Sequence, residues 1–276
     1  MTVKPLHRKR KELRNALESG EELVAHVAEN KFYHQILDST AAELVEDITE
    51  TRIYTSRLVM EVFLHRAFQS HREVKCCTLF LTDRALRKAD FLDNEFARTG
   101  IPTGRLHGVP VSAKDPLDIK GYDSTSGYSK FAFKPAENTN TLLDILESEG
   151  AIVFCKTNIP QTMWTFECAS IMLDTRTLNP HNHNYTPGGS SGGEAALIAS
   201  RGSILGVGTD AGGSLRIPAH FCGIYALKPT YGRIPQRFAT TGHDGQEAIL
   251  GVSGPMARSI GDLAIFMQVV LDAKAY

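Results

Sequence analysis

Across 276 residues the chain has one tryptophan, five cysteines and a formal net charge of only -1. Each shortage removes a class of function. Thirty Lys and Arg stand against 31 Asp and Glu, so no cationic excess argues for nucleic acid or an anionic membrane surface. No run of about 18 apolar residues is present to form a membrane-spanning helix. No secretory leader pattern is found either. Cys76, Cys77, Cys155, Cys168 and Cys222 are odd in number and lack metal-ligand spacing, and the adjacent Cys76-Cys77 pair is not a CxxC motif. The expectation is reduced, buried thiols in a cytoplasmic protein, with no metal and no cofactor.

The bulk composition, 42% hydrophobic and 22% charged, is ordinary for a globular chain of one large or two modest domains. Lys4, His7, Arg8, Lys9, Arg10, Lys11 and Arg14 form a basic cluster. Glu12, Glu18, Glu21 and Glu22 soon follow, which reads as a solvated helix face. The first hundred residues read mostly helical. Helix formers fill Lys9 to Ala28, and Thr40-Ala41-Ala42-Glu43 is a capping box. Apolar spacing predicts helices from Ser56 to His71 and from Thr82 to Arg98, the second ended by Gly100 and Pro102.

After residue 100 the pattern changes. Val109 to Ala113, Ala151 to Cys155 and Ile204 to Gly208 read as buried strands. Helices starting at Thr141 and running from Gly193 to Ser200 and from Ile260 to Leu271 alternate with them. The expected fold class is therefore α/β, a mixed sheet flanked by helices behind a helical N-terminal segment. The mostly helical first hundred residues precede this α/β part.

The most distinctive stretch runs from Thr186 to Thr230. Two small-residue loops, Gly188-Gly189-Ser190-Ser191-Gly192-Gly193 and Asp210-Ala211-Gly212-Gly213-Ser214, flank a short helix. Such loops can turn several backbone N–H groups toward one bound atom. Hydroxyls beside bare N–H donors offer what acyl transfer needs: a nucleophile and an anion hole. Ser214 closes the second loop, where the N–H groups of Ala211, Gly212, Gly213 and Ser214 converge. Taken alone, a Ser after Gly-Gly is more often a plain turn, and the first loop on its own reads as a flexible linker or a phosphate cradle. No Lys-Ser/Thr follows the glycines as a phosphate-binding loop requires.

A serine nucleophile needs a base. His181, His183, His220 and His243 lie nearby without a distinctive context, and His181-Asn182-His183 has no carboxylate at metal-ligand spacing. Lys114 differs, because it ends the apolar strand Gly108-Val109-Pro110-Val111-Ser112-Ala113. Lysine is seldom buried without a partner, and burial lowers its pKa toward a usable neutral amine. Pairing with Asp115 is the plainer reading of the same octet. A hydroxyl of Ser190 or Ser191 can relay a proton between amine and nucleophile, since it both donates and accepts.

These motifs together resemble the amidase signature family. The resemblance rests on GVPVSAKD ending at Asp115, GGSSGGE from Gly188 to Glu194, GVGTDAGGSLRIPA from Gly206 to Ala219 and GIYALKPT from Gly223 to Thr230. It covers roughly residues 70 to 276, is most similar to the fungal acetamidase and general amidase branch, and implies a catalytic core 71–276 behind a helical segment 1–70. It implies Ser214 as nucleophile, Ser190 as the bridging serine after a cis peptide bond, and Lys114 as base. It implies an oxyanion hole of the N–H groups of Ala211, Gly212, Gly213 and Ser214. Ser191, Asp210 and Arg216 are implied to brace the loops. The implied reaction hydrolyses a small-molecule carboxylic amide to carboxylate and ammonia or amine, without a cofactor or nucleic-acid partner.

Family members are usually much longer, with further sheet and substrate pocket after the signature. A fragment of a longer amidase, a compact active form and an inactive remnant are all consistent with 276 residues. An amidotransferase subunit working with partner chains is a further alternative, against which the helical N-terminal part leans. Missing strands would leave apolar edges exposed and promote self-association into a homo-oligomer.

Overall fold

The computed structural model describes residues 4–241 and 245–274. Of the four candidate histidines, His243 lies outside the described residues. Helix α1 spans Lys4–Val24 and continues as one 3-10 turn to Glu29. Two short helices follow, α2 (Tyr33–Asp38) and α3 (Ala41–Thr49). The expected capping box starts α3: the Glu43 N–H donates to Thr40 Oγ1 at 3.3 Å, and the Thr40 N–H donates to Glu43 Oε2 at 2.7 Å. Two otherwise orphaned helix-start amides are satisfied in this way. Helix α4 (Ser56–Val74) ends where Lys75 turns left-handed at φ 56°, and strand β1 (Cys77–Phe80) follows.

Helix α5 (Thr82–Thr99) is closed by Gly100. Strand β2 (Pro110–Lys114), helix α6 (Thr141–Ser148) and strand β3 (Ile152–Thr157) come next, and every residue of both strands is buried. Their unbroken burial, mostly by apolar residues, suits a parallel pair covered on both faces. A small ribbon of β4 (Ala169–Ser170) and β5 (Thr175–Arg176) precedes helix α7 (Gly192–Ala199). Strand β6 (Leu205–Asp210), helix α8 (Arg216–Cys222), strands β7 (Tyr225–Ala226) and β8 (Val252–Ala257), and helix α9 (Ile260–Asp272) complete the chain.

Six strands form one mixed sheet in the order β1-β3-β2-β6-β8-β7. The central pairs β3–β2 and β2–β6 are parallel, and the outer pairs are antiparallel. This is the expected mixed sheet with flanking helices. One apolar cluster runs from Leu17 in α1 to Val270 in α9 and joins the early helices to the sheet. A smaller cluster of Ala195, Ile198, Leu215, Ala219, Cys222 and Met256 packs α7, α8 and β8 together. Among the described residues, no helix is long and apolar enough to cross a membrane.

Two elements lie where the sequence analysis assigned no structure, and each contains a proline. Helix α8 carries Pro218 in its first turn, where the missing N–H would have had no helical partner. Strand β8 contains Gly254-Pro255. Strand β7 covers only Met256 and Ala257 of β8, so Pro255 sits close to the sheet edge, where a residue without an N–H is tolerated.

Candidate active site

The parallel register decides where the site forms. Ala113 of β2 lies opposite Val207 of β6, so Lys114 and Thr209 emerge together at the carboxyl ends of two neighbouring strands. Lys114 Nζ donates to Thr209 Oγ1 at 2.7 Å, to the Thr209 carbonyl at 3.3 Å and to Ser190 Oγ at 2.7 Å. The lysine is wholly buried. Burial lowers its pKa from 10.5 to about 7, although Cys168, Asp210 and Glu194 act in the opposite direction. A buried ammonium loses its hydration, and among the described residues no carboxylate bonds directly to Nζ to replace it.

Ser190 follows a cis peptide bond from Gly189 and is buried. Its loop is fastened at several points. Ser191 Oγ donates to the Thr209 carbonyl at 3.3 Å and accepts the Thr209 N–H at 3.4 Å. The Ser191 N–H donates to the Ser214 carbonyl at 3.2 Å, which holds the two small-residue loops side by side. The Gly193 N–H donates to the Asn158 carbonyl at 3.1 Å. A Cβ at Gly193 would stand 2.4 Å from the Asn158 nitrogen, so only glycine permits that approach.

Glu194, the last residue of the GGSSGGE run, anchors helix α7 to the sheet. It is fully buried, accepts from Thr157 Oγ1 at 2.6 Å and accepts from Ser112 Oγ. Ser112 and Ser203 share a further 2.8 Å hydrogen bond. Burial raises the Glu194 pKa from 4.5 to about 7, against the pull of the Ser112 and Thr157 hydroxyls and of Lys114. A Cβ at Gly206 would meet Glu194 Oε1 at 2.0 Å, so β6 needs glycine there. Sequence reasoning assigned Glu194 no role and passed over Thr209. An acid at the end of an otherwise small, apolar helix start was the available signal.

Asp210 organises the second loop. Its carboxylate accepts the N–H groups of Gly213 at 2.7 Å, Leu215 at 3.1 Å and Arg216 at 3.4 Å. The Arg216 guanidinium adds two bonds at 2.9 and 3.0 Å. Burial alone would raise the carboxyl, but these donors more than offset it and hold the pKa at about 2. The brace takes up the Gly213 N–H. Among the described residues the N–H groups of Ala211, Gly212 and Ser214 are not engaged. Ser214 is half-buried, and its Oγ makes no hydrogen bond among the described residues. The Lys114–Ser190 link is thus made in this structure, and the Ser190–Ser214 link is not.

Of the described candidate histidines, none bonds to Lys114, Ser190 or Ser214. His181 Nε2 bonds to the Cys222 carbonyl at 2.8 Å, while His183 and His220 are exposed. His71, Cys76 and Cys77 are buried with their ligand atoms within 4.8 Å of one another. His71 Nδ1 already accepts the Cys77 N–H, and burial pushes both thiols well above their ordinary pKa, so they stay protonated.

The amidase family model matches residues 58–275. Acetamidase from Emericella nidulans is 39% identical over 242 residues, which cover 88% of this chain and 44% of that protein. Amidase 1 from Gibberella moniliformis is 38% identical over 242 residues, covering 88% of this chain and 46% of that protein. A solved fatty acid amide hydrolase superposes with a TM-score of 0.90 at 30% identity, over 98% of this chain and 51% of that one. The chain therefore spans about half the length of the relatives it matches, and it belongs to the amidase signature family.

Proposed function

We propose that the site hydrolyses a carboxylic amide to carboxylate and ammonia or amine, with Ser214 as nucleophile and Lys114 as base acting through Ser190. One observation carries the reading. A fully buried lysine with a pKa of about 7 lies 2.7 Å from a serine hydroxyl. An amine poised near neutrality is suited to general-base work, and an ordinary lysine is not. Catalytic hydrogen bonds are often incomplete before substrate binds, and the reading requires the Ser190–Ser214 link to close in the substrate complex.

The cycle conserves protons. Neutral Lys114 takes the Ser190 proton as Ser190 takes that of Ser214, and Ser214 Oγ bonds to the amide carbon. The resulting oxyanion is held by the N–H groups of Ala211, Gly212 and Ser214, and by that of Gly213 once it is shared with Asp210. Collapse breaks the C–N bond as the relay returns a proton to the departing nitrogen. Water then attacks the Ser214 ester and releases the acid. No cofactor enters these steps.

The relatives named acetamidase and fatty acid amide hydrolase support amides as the substrate class. The test is ammonia release from acetamide, benzamide and longer amides, with Ser214→Ala alongside. Unchanged release in the variant removes Ser214 from its assigned role. A fluorophosphonate that labels parent but not Ser214→Ala supports the assignment independently of substrate fit.

A further inference from the structure

The basic cluster at the start of the chain takes no part in the serine site, and part of it lines a cavity. Along α1, His7, Arg10 and Arg14 fall three and four residues apart and so share one helix face. That face, the end of α4 and the β4–β5 ribbon border a cavity of about 610 Å³. Arg72 and Lys75 reach it from α4, and Asp174 from the turn of the ribbon. Leu13, Leu17 and Leu173 give it an apolar side. Small-molecule sites typically occupy about 300–1,000 Å³, so the volume is sufficient for one. None of Lys114, Ser190 and Ser214 lines it.

Ion pairing decides which charges remain for a ligand. Elsewhere on α1, Arg8 is taken by Glu12 and Lys9 by Asp123. In the cavity, Arg10 pairs with Asp174 at 3.0 Å and donates to the Ile171 carbonyl at 2.7 Å, yet its Nε is buried without a partner among the described residues. Arg72 pairs with Glu21. Arg14 makes no hydrogen bond or ion pair among the described residues, and Lys75 Nζ bonds to the Arg72 carbonyl alone, at 2.8 Å. Arg14 and Lys75 are therefore left uncompensated. Glu18, one turn beyond Arg14, is exposed and lies outside the cavity lining. A bare helix end at α4 would repel an anion. Here the His71, Arg72 and Val74 carbonyls already accept from the Lys75 N–H, Lys75 Nζ and the Leu178 N–H.

A phosphate ester matches this balance. A phosphomonoester carries about two negative charges near neutral pH and several acceptor oxygens. Guanidinium groups meet such oxygens with paired N–H donors. A carboxylate brings half that charge. We propose that the cavity binds a phosphomonoester with an apolar organic group, its phosphate held by Arg14, Lys75 and Arg10 Nε and its organic group lying on the three leucines.

The experiment titrates phenyl phosphate into this chain by calorimetry, with inorganic phosphate and benzoate in parallel. Saturable binding is expected, at least tenfold tighter than for either comparison compound. Arg14→Gln with Lys75→Gln should weaken it at least tenfold while circular dichroism stays unchanged. Arg14→Gln alone removes no bond of the folded chain, so it keeps the test open if the pair fails to fold, and it should weaken binding at least threefold. Arg8→Gln, on the same helix outside the cavity, should change affinity less than twofold. Absence of saturable binding at millimolar phenyl phosphate overturns the proposal, as does equal affinity for benzoate or inorganic phosphate, or an unweakened Arg14→Gln. Ser214→Ala should bind phenyl phosphate as the parent does, and a loss there places the ligand at the serine loops and overturns the assignment. Phosphatidylcholine vesicles carrying phosphatidic acid test a lipid as the source of the ester. Sedimentation with them that is lost in Arg14→Gln supports the same site.

Discussion

Replacing Lys114 with Met tests the centre of the chemistry, because the side chain keeps its length and loses its charge. The structure sets the magnitude. With an ordinary pKa of 10.5, roughly one lysine in 3,000 would be neutral at pH 7, whereas at about 7 half are. Fluorophosphonate labelling of Ser214 should therefore rise with pH, bend near pH 7 and level off above it. Lys114→Met should label about 10³-fold more slowly and lose the bend, within the range typical of general acid–base groups. Stability should move the other way. The parent's lysine binds fewer protons folded than unfolded between about pH 7 and 10.5, so its penalty is full below pH 7 and fades as pH rises. Met carries no such penalty. Urea unfolding across pH should show the advantage of Lys114→Met over the parent shrinking by about 4 kcal/mol between pH 6 and pH 10. A labelling rate flat from pH 5 to 9, or a stability difference independent of pH, refutes the reasoning.

Glu194 has the opposite sign. Its raised pKa gives stability that is present below the ordinary carboxyl pKa and lost as pH climbs through about 7, so Glu194→Gln should flatten that part of the urea profile. Gly206→Ala drives a methyl into Glu194 and should lower stability by about 1–3 kcal/mol, read as a shifted denaturation midpoint at unchanged slope. Asp210→Ala frees the amides of Gly213, Leu215 and Arg216 from their brace. Labelling at Ser214 should fall about 10²-fold, and recovery of full labelling would show that the carboxylate does not shape the loop. Thr40→Ala removes the α3 cap and should cost about 1 kcal/mol in thermal unfolding, with labelling unchanged.

Much of the fold is legible in local chemistry. The box at Thr40, the left-handed glycine closing α5 and the apolar runs of β2 and β3 each declare an element by a rule that needs only neighbours in sequence. Helix α8 and strand β8 were assigned no structure from sequence, and each carries a proline at a position its element tolerates. Lys114 was identifiable as a candidate because a lysine is costly at a buried strand end, whereas Ser190 as the bridge and Asp210 as a brace came from the resemblance to the amidase signature family.

Pattern alone determined that these groups are present, that the chain lacks the charge for a polyanion partner, and that helices and strands alternate after residue 100. Tertiary structure decided what each group can do. Parallel pairing of β2 with β6 set Thr209 beside Lys114, burial brought the amine near neutrality, and Asp210 drew the Gly213 amide away from its neighbours. Proton affinity and hydrogen-bond choice depend on the field and geometry of atoms far apart in the chain, and those exist only once the sheet has closed around them.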